Sequence, residues 1–226
     1  MEAAKPISTT KSIADKIDDD LQKAYKDLLI KHLDDRTFKE EKIKGWMNNI
    51  LIEAKEYFIK TYPDYDLFLL IFIYPKNVYF KSNCSSISLL NIDSSSSVNF
   101  STDNLYAVLY YFYFKRYNLE YSLDEYEDEI IQNGHEILKK HLDERKFDYN
   151  KIGNYNLDIN NDFNNFILEK EKKQIRCFTV NEIYQNPIKA KYFFKYLCHG
   201  KNIQTKIFHN FLNDGLICCH SLYFFK

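Results

Sequence analysis

Glycine and proline are scarce, five and four in 226 residues. So few glycines leave little from which to build a phosphate-cradling loop, and neither Gly-x-Ser-x-Gly nor His-Glu-x-x-His occurs. Neither sign of charge dominates, with 31 Lys and Arg against 32 Asp and Glu. That balance argues against a nucleic-acid partner, which calls for a basic stripe. No apolar run approaches the ~20 residues a membrane-crossing helix needs. Leu67–Tyr74 is apolar but short, bounded by Asp66 and Pro75. Met1–Thr10 lacks the apolar run of a signal peptide. The five cysteines have no paired spacing and fit a reducing compartment. The expectation is a soluble cytosolic protein with no membrane or nucleic-acid partner and no cofactor. Aromatics are plentiful, 19 Tyr and 18 Phe, which marks a packed chain and not a disordered one.

A repeat organises the sequence. Lys31-His32-Leu33-Asp34-Asp35-Arg36-Thr37-Phe38-Lys39-Glu40-Glu41-Lys42-Ile43 returns as Lys140-His141-Leu142-Asp143-Glu144-Arg145-Lys146-Phe147-Asp148-Tyr149-Asn150-Lys151-Ile152. In the same register Trp46 meets Tyr155 and Ile50 meets Ile159, so one buried helical face is preserved. Farther on, Phe114-Lys115 meets Phe225-Lys226. A period of half the chain is too long for a solenoid, so two copies of one domain are predicted. Their bounds are 12–116 and 117–226, after a polar tail over 1–11.

In the first copy, Ile13, Ile17, Leu21, Tyr25, Leu28, Leu29 and Leu33 form a helical stripe. Thr37-Phe38-Lys39-Glu40 reads as a capping box opening a second helix that runs to about Thr61, before Pro63. Trp46 and Ile50 lie on its apolar stripe, and Trp46 is expected to be buried. Strands follow at Leu67–Tyr74, Val78–Leu90, Val98–Phe100 and Leu105–Phe114, with a serine-rich turn over Asp93–Ser97. The second copy repeats this order with helices at Leu123–His141 and Lys151–Leu168. Its strands fall near Ile175–Glu182, Lys191–Cys198, Ile203–Phe211 and Leu216–Phe225. Six asparagines load its second helix, which is expected to be shorter or irregular. The fold class is therefore α+β, two tandem modules of two helices and a four-stranded antiparallel sheet.

Candidate chemistry is thin. Cys198, His199, His209, Cys218 and His220 could assemble a zinc site, or Cys198 and His220 a thiol nucleophile. Free cysteines in apolar strands more often act as small hydrophobes. His32 and His141 sit at equal helix ends, where an imidazole can meet the last carbonyls. In each copy the third strand is short and flanked by turns, the mark of a sheet edge. That edge is Ser96, Ser97, Val98, Asn99 and Phe100 in the first copy, and Thr205, Lys206, Ile207 and Phe208 in the second.

Trp46-Met47-Asn48-Asn49-Ile50-Leu51-Ile52-Glu53 resembles the second-helix signature of Tctex-type dynein light chains. Val98–Val108 resembles their last hairpin, and the similarity covers about Tyr25–Phe114. The second copy departs from it, with Tyr155 for the tryptophan and Asp162 for the glutamate. The resemblance implies a non-catalytic subunit of a dynein motor, on the cytoskeleton in the cytoplasm or in a ciliary axoneme. It implies as partners the dynein intermediate chain, other dynein subunits, and cargo or docking proteins, held as an extended segment along a sheet edge. Family members are usually homodimers that exchange their second strand. A tandem pair then implies that dimer fused in one chain, with Val78–Cys84 and Lys191–Cys198 each completing the other copy's sheet. A scaffold of the same fold working without the motor is the alternative.

Overall fold

A computed structural model describes residues 12–76, 80–88, 94–116, 127–170, 176–185, 193–200 and 203–225. The expected tail over 1–11 and most of the junction between the copies lie outside these residues. The first half contains α1 (Ile13–Leu33), α2 (Glu40–Thr61), β1 (Tyr65–Pro75), β2 (Phe80–Ser88), β3 (Ser94–Ser101) and β4 (Leu105–Lys115). The second half repeats the order with α3 (Glu127–Leu142), α4 (Ile152–Lys170), β5 (Arg176–Gln185), β6 (Phe193–His199), β7 (Ile203–Leu212) and β8 (Leu216–Phe225).

The two halves exchange a strand. One sheet runs β3-β4-β1-β6 and the other β2-β5-β8-β7, all neighbours antiparallel. Thus β2 leaves its own half to pair with β5, and β6 crosses back to pair with β1. The end of β6 is fixed by residues of the first half. Arg116 Nε donates to buried Asp66 at 2.7 Å, and its guanidinium lies 3.1 Å from His199 Nε2. Gly200, at φ +88°, closes over Asp66, where an added Cβ would sit 1.8 Å from Oδ1.

Four layers result. Alternate β1 residues Leu67, Leu69, Ile71 and Ile73 pack under α1 and α2. Phe68, Leu70, Phe72 and Tyr74 point the other way, against Phe178, Val180, Tyr184, Tyr223 and Phe225 of the second sheet. Because both faces of β1 and β4 are covered, their sequences read as unbroken apolar runs. Edge-to-face pairs such as Phe68–Phe178, 5.4 Å between centroids, knit the sheets together.

The repeated motif has a structural content. Asp34 and Asp35 turn the chain with φ +56° at Asp35, and Glu144 adopts φ +60° in the second half. Arg36 N–H closes the turn on Leu33 O at 3.1 Å, as Arg145 does on Leu142 O at 3.1 Å. Upstream, Lys31 and His32 both bind Glu53 of α2, at 2.7 and 2.9 Å. Lys140 and His141 bind Asp162 of α4 at 2.6 and 2.8 Å. The histidines thus engage a carboxylate on the next helix and not the helix-end carbonyls expected of them. Hydrogen bonds from Lys31 and Lys140, with His32 and His141 beside them, hold Glu53 and Asp162 below the usual carboxylate range.

Other expectations need correcting. Thr37 caps nothing: α2 begins at Glu40 with Lys39 as its N-cap and no side-chain cap bond. The capping box is instead on α1, where Ser12 and Asp15 exchange bonds of 3.1 and 3.0 Å. Ser94–Ser97 form strand and not a turn, because eight residues of β3 pair with β4. Asp93 lies outside the described residues. Helix α4 runs unbroken for 19 residues despite its asparagines. Asn154, Asn161 and Asn165 face solvent, while Asn156 and Asn160 are buried. Asn160 Oδ1 accepts from Asn181 Nδ2 of β5 at 2.6 Å, so tertiary contact overrides weak propensity.

The second core is a re-cut version of the first. In the register of the repeat, Tyr25 becomes Gly134, Val98 becomes His209, Leu109 becomes His220 and Ala54 becomes Phe163. His209 and His220 lie with their Nδ1 atoms 3.3 Å apart, and Phe163 stacks on His220 at 3.7 Å between centroids. The His209 ring fills the space a tyrosine takes in the first half, and a Cβ on Gly134 would lie 2.1 Å from its Nε2. Gly134→Ala is predicted to cost about 1–3 kcal/mol by overpacking. Adding His209→Val should recover at least ~0.5 kcal/mol through coupling of the two sites, measured by denaturant unfolding. Strict additivity would contradict this packing account.

Glu182 stands in the register of Phe72, between the sheets, and is buried. Tyr74 donates to its Oε1, and Tyr184 to its Oε2 at 2.7 Å. Burial outweighs both bonds and pushes the carboxyl up from 4.5 to about 8. The stability from the neutral carboxyl is fully present below 4.5 and is lost as pH rises through about 8. Thermal stability is therefore predicted to fall as pH rises from about 4.5 to about 8 and to level off above that. Glu182→Gln should flatten that slope. An unchanged slope would place its origin elsewhere.

Candidate partner-binding edges

Among the described residues, β3 and β7 each pair on one side only, at opposite ends of the sandwich. The exchanged strands β6 and β2 are the other two edges, which the sequence reading did not single out as binding edges. The structure sorts the expected site residues by face. Val98 and Ile207 are buried, and Phe100 packs half-buried against the first core. Asn99, Lys206 and Phe208 are exposed, and Ser96 and Ser97 are half-buried. Thr205 is placed by its backbone, paired with Phe224.

Helix α1 lies along β3 and binds it with polar side chains. Gln22 Nε2 donates to Ser96 Oγ at 2.8 Å and to Ser97 O at 3.0 Å. Ser94 Oγ donates to Asp18 at 2.7 Å, and burial raises the Asp18 pKa. Asn99 Oδ1 accepts from the Tyr106 hydroxyl at 2.9 Å. The serines that looked like a turn are thus a polar contact strip between helix and edge strand. A hollow between α1 and α2 is lined by Asp20, Lys23, Ala24, Asp27, Leu28 and Tyr57. There the Tyr57 and Tyr62 hydroxyls donate to Asp20, the latter at 2.7 Å.

The Cys/His constellation does not come together. His209, Cys218 and His220 belong to the second sheet, whereas Cys198 and His199 lie on β6 in the first. Among the described residues no group of three or more His, Cys, Asp or Glu could hold a metal ion. Burial pushes the Cys198 thiol up to about 11 and Cys218 well above its usual value. A nucleophilic cysteine needs the opposite shift. No helix of the described residues is long and apolar enough to cross a membrane.

The sequence model of the Tctex-1 family matches residues 8–114. Residues 8–114, a little under half of the chain, are thus similar to the Tctex-1 family. Among curated proteins, none matches the chain significantly. The match takes in α1 through β4, including the Trp46–Glu53 segment and the β3–β4 hairpin. The second half lies outside it, and its kinship with the Tctex-1-like half rests on the repeated element order, the αL turn and the Lys-His-carboxylate clamp.

Of the structural positions, Ile50 and Ile159 are fully buried. Trp46 and Tyr155 are only half-buried at the rims of the two cores, and the Arg145 guanidinium lies 4.5 Å from the Tyr155 ring centroid. The expected burial of Trp46 is thus incomplete, because Met47 and Leu51 take the centre of the helix face. Phe58→Ala should cost about 3–5 kcal/mol as a buried-aromatic truncation, and Trp46→Ala less, about 1–3 kcal/mol. Chemical denaturation of both variants checks the order, and a larger loss at Trp46 would contradict it.

Proposed function

We propose that this chain is a non-catalytic dynein light chain carrying two Tctex-type units, 12–116 and 117–226, in one polypeptide. One observation carries the reading: β2 and β6 are exchanged within a single chain. The pair therefore stands where a dimer of single-unit light chains would stand. An extended segment of the dynein intermediate chain, or of a cargo or docking protein, adds to an edge strand. Backbone N–H and C=O groups supply affinity and side chains supply selectivity. The β3 residues Ser96, Ser97, Val98, Asn99 and Phe100, and the β7 residues Thr205, Lys206, Ile207 and Phe208, are the proposed contact strands. The protein works on the cytoskeleton, in the cytoplasm or an axoneme, and the reaction it supports is assembly and not catalysis.

Affinity purification of the tagged chain with mass spectrometry is the test. Dynein intermediate chain should co-purify, and the isolated chain should scatter light as a monomer. Asn99→Pro, which removes one backbone donor from β3, should lower binding of intermediate-chain peptides in a variant that circular dichroism shows to be folded. Co-purification of other partners without any dynein subunit would favour the motor-independent scaffold.

A further inference from the structure

The two edge strands carry different surfaces. Counted against their paired strands, Lys206, Phe208, Asn210 and Leu212 of β7 stand where β3 has Ser95, Ser97, Asn99 and Ser101. In β7 these residues are all exposed, Phe208 at 51% and Leu212 at 66%. The Phe208 ring meets Tyr223 edge-on at 6.1 Å, and Tyr223 meets Tyr196 of β6 at 6.2 Å. The Lys206 ammonium sits 4.1 Å from the Tyr196 ring centroid and donates to the Tyr196 hydroxyl. Between the edge of one sheet and the edge of the other, the exposed rings of Phe208 and Tyr196 thus pack over buried Tyr223, with the Lys206 cation beside them. The overlying helix differs too. Gln22, which ties α1 to β3, is replaced in the repeat by exposed Ile131, which has no donor to offer the strand.

A ten-residue edge strand with exposed Phe and Leu is an adhesive edge unless a partner covers it. Apolar anchors at alternate positions suit a β-strand ligand, whose side chains repeat every second residue. Exposed aromatic groups are what anchor such contacts, and Lys206 selects a negative charge opposite it.

We propose that β7 and the adjoining gap to β6 form a second docking edge, for an extended segment with apolar side chains at alternate positions and a carboxylate facing Lys206. Its ligand differs from that of the serine-lined β3 edge, so one chain holds two unlike segments. The inference rests on the strand-addition mode proposed above and not on the motor partner's identity.

The probe is a display library of random peptides about as long as β7, ten residues, selected on the intact chain. Enriched peptides should alternate apolar residues and carry one Asp or Glu. Phe208→Ser combined with Leu212→Ser should abolish their binding. Lys206→Glu should weaken it at least about tenfold and turn reselection towards basic peptides. Asn99→Pro should leave it unchanged. Circular dichroism and thermal unfolding establish that each variant is folded, and Lys206→Glu, at an exposed position, keeps the test open if the double variant is not. Binding that survives these changes, or hydrogen-exchange protection confined to β3, would overturn the proposal. So would self-association of the chain that the double serine variant abolishes, because the occupant would then be a second copy. Peptide binding without any dynein subunit in the purification leaves this edge standing and removes the motor reading instead.

Discussion

The contact on which the rest depends is the one between the two sheets. Phe68, Phe72, Tyr74, Phe112 and Phe114 meet Phe178, Tyr184, Tyr223 and Phe225 with almost no exposed area. Burying aromatic faces of this size dominates the energetics of a small domain. Neither half can keep this surface dry alone, since each half's sheet would be left with an open apolar face. Exchange of β2 and β6 then fixes register: β1 pairs with β6 through Ile73↔Phe193 to Leu67↔His199, and β5 takes β2 in the same sense. Edge strands follow from that arrangement, and with them the places where a partner strand can add.

The second half shows how far a core can change while the frame holds. Gly134, His209, His220 and Phe163 replace Tyr25, Val98, Leu109 and Ala54 as a set, trading one large group for others of similar summed volume. Cores tolerate such exchanges when volume is kept. Its polar content is unusual: Asn156, Asn160, Thr179, Asn181, His209 and His220 are all buried. Buried polar groups are costly unless paired, and Asn160 and Asn181 offset that cost by bonding each other. The frame itself is held by features that did not change, the αL turn at Asp35 and Glu144 and the lysine-histidine grip on Glu53 and Asp162.

Much of this was legible in the sequence because the apolar runs were long. Leu67–Tyr74 read as a buried strand and Leu105–Phe114 as the last strand of the first copy, and β8 falls at Leu216–Phe225 as read. The order of elements and the strand exchange also followed, the exchange through the family resemblance. What the sequence hid depends on contacts between distant residues. Serine has little strand character of its own, so Ser94–Ser97 become strand only through β4 and the Asp18 and Gln22 contacts. The carboxylate partners of His32 and His141 lie on another helix, and Gly134 makes sense only beside His209. At the edges, the sequence marked β3 and β7 correctly as outer strands but not the alternation that buries Val98 and Ile207 while exposing Phe208.

The central claim is that one chain holds two mutually completed halves. Inserting a protease site between Lys115 and Glu127, cleaving, and following the product by size-exclusion chromatography with light scattering tests it directly. The account predicts that the two fragments stay together as a one-to-one complex under native conditions and separate only in denaturant. Two folded fragments eluting apart, each with its own secondary structure, would contradict it.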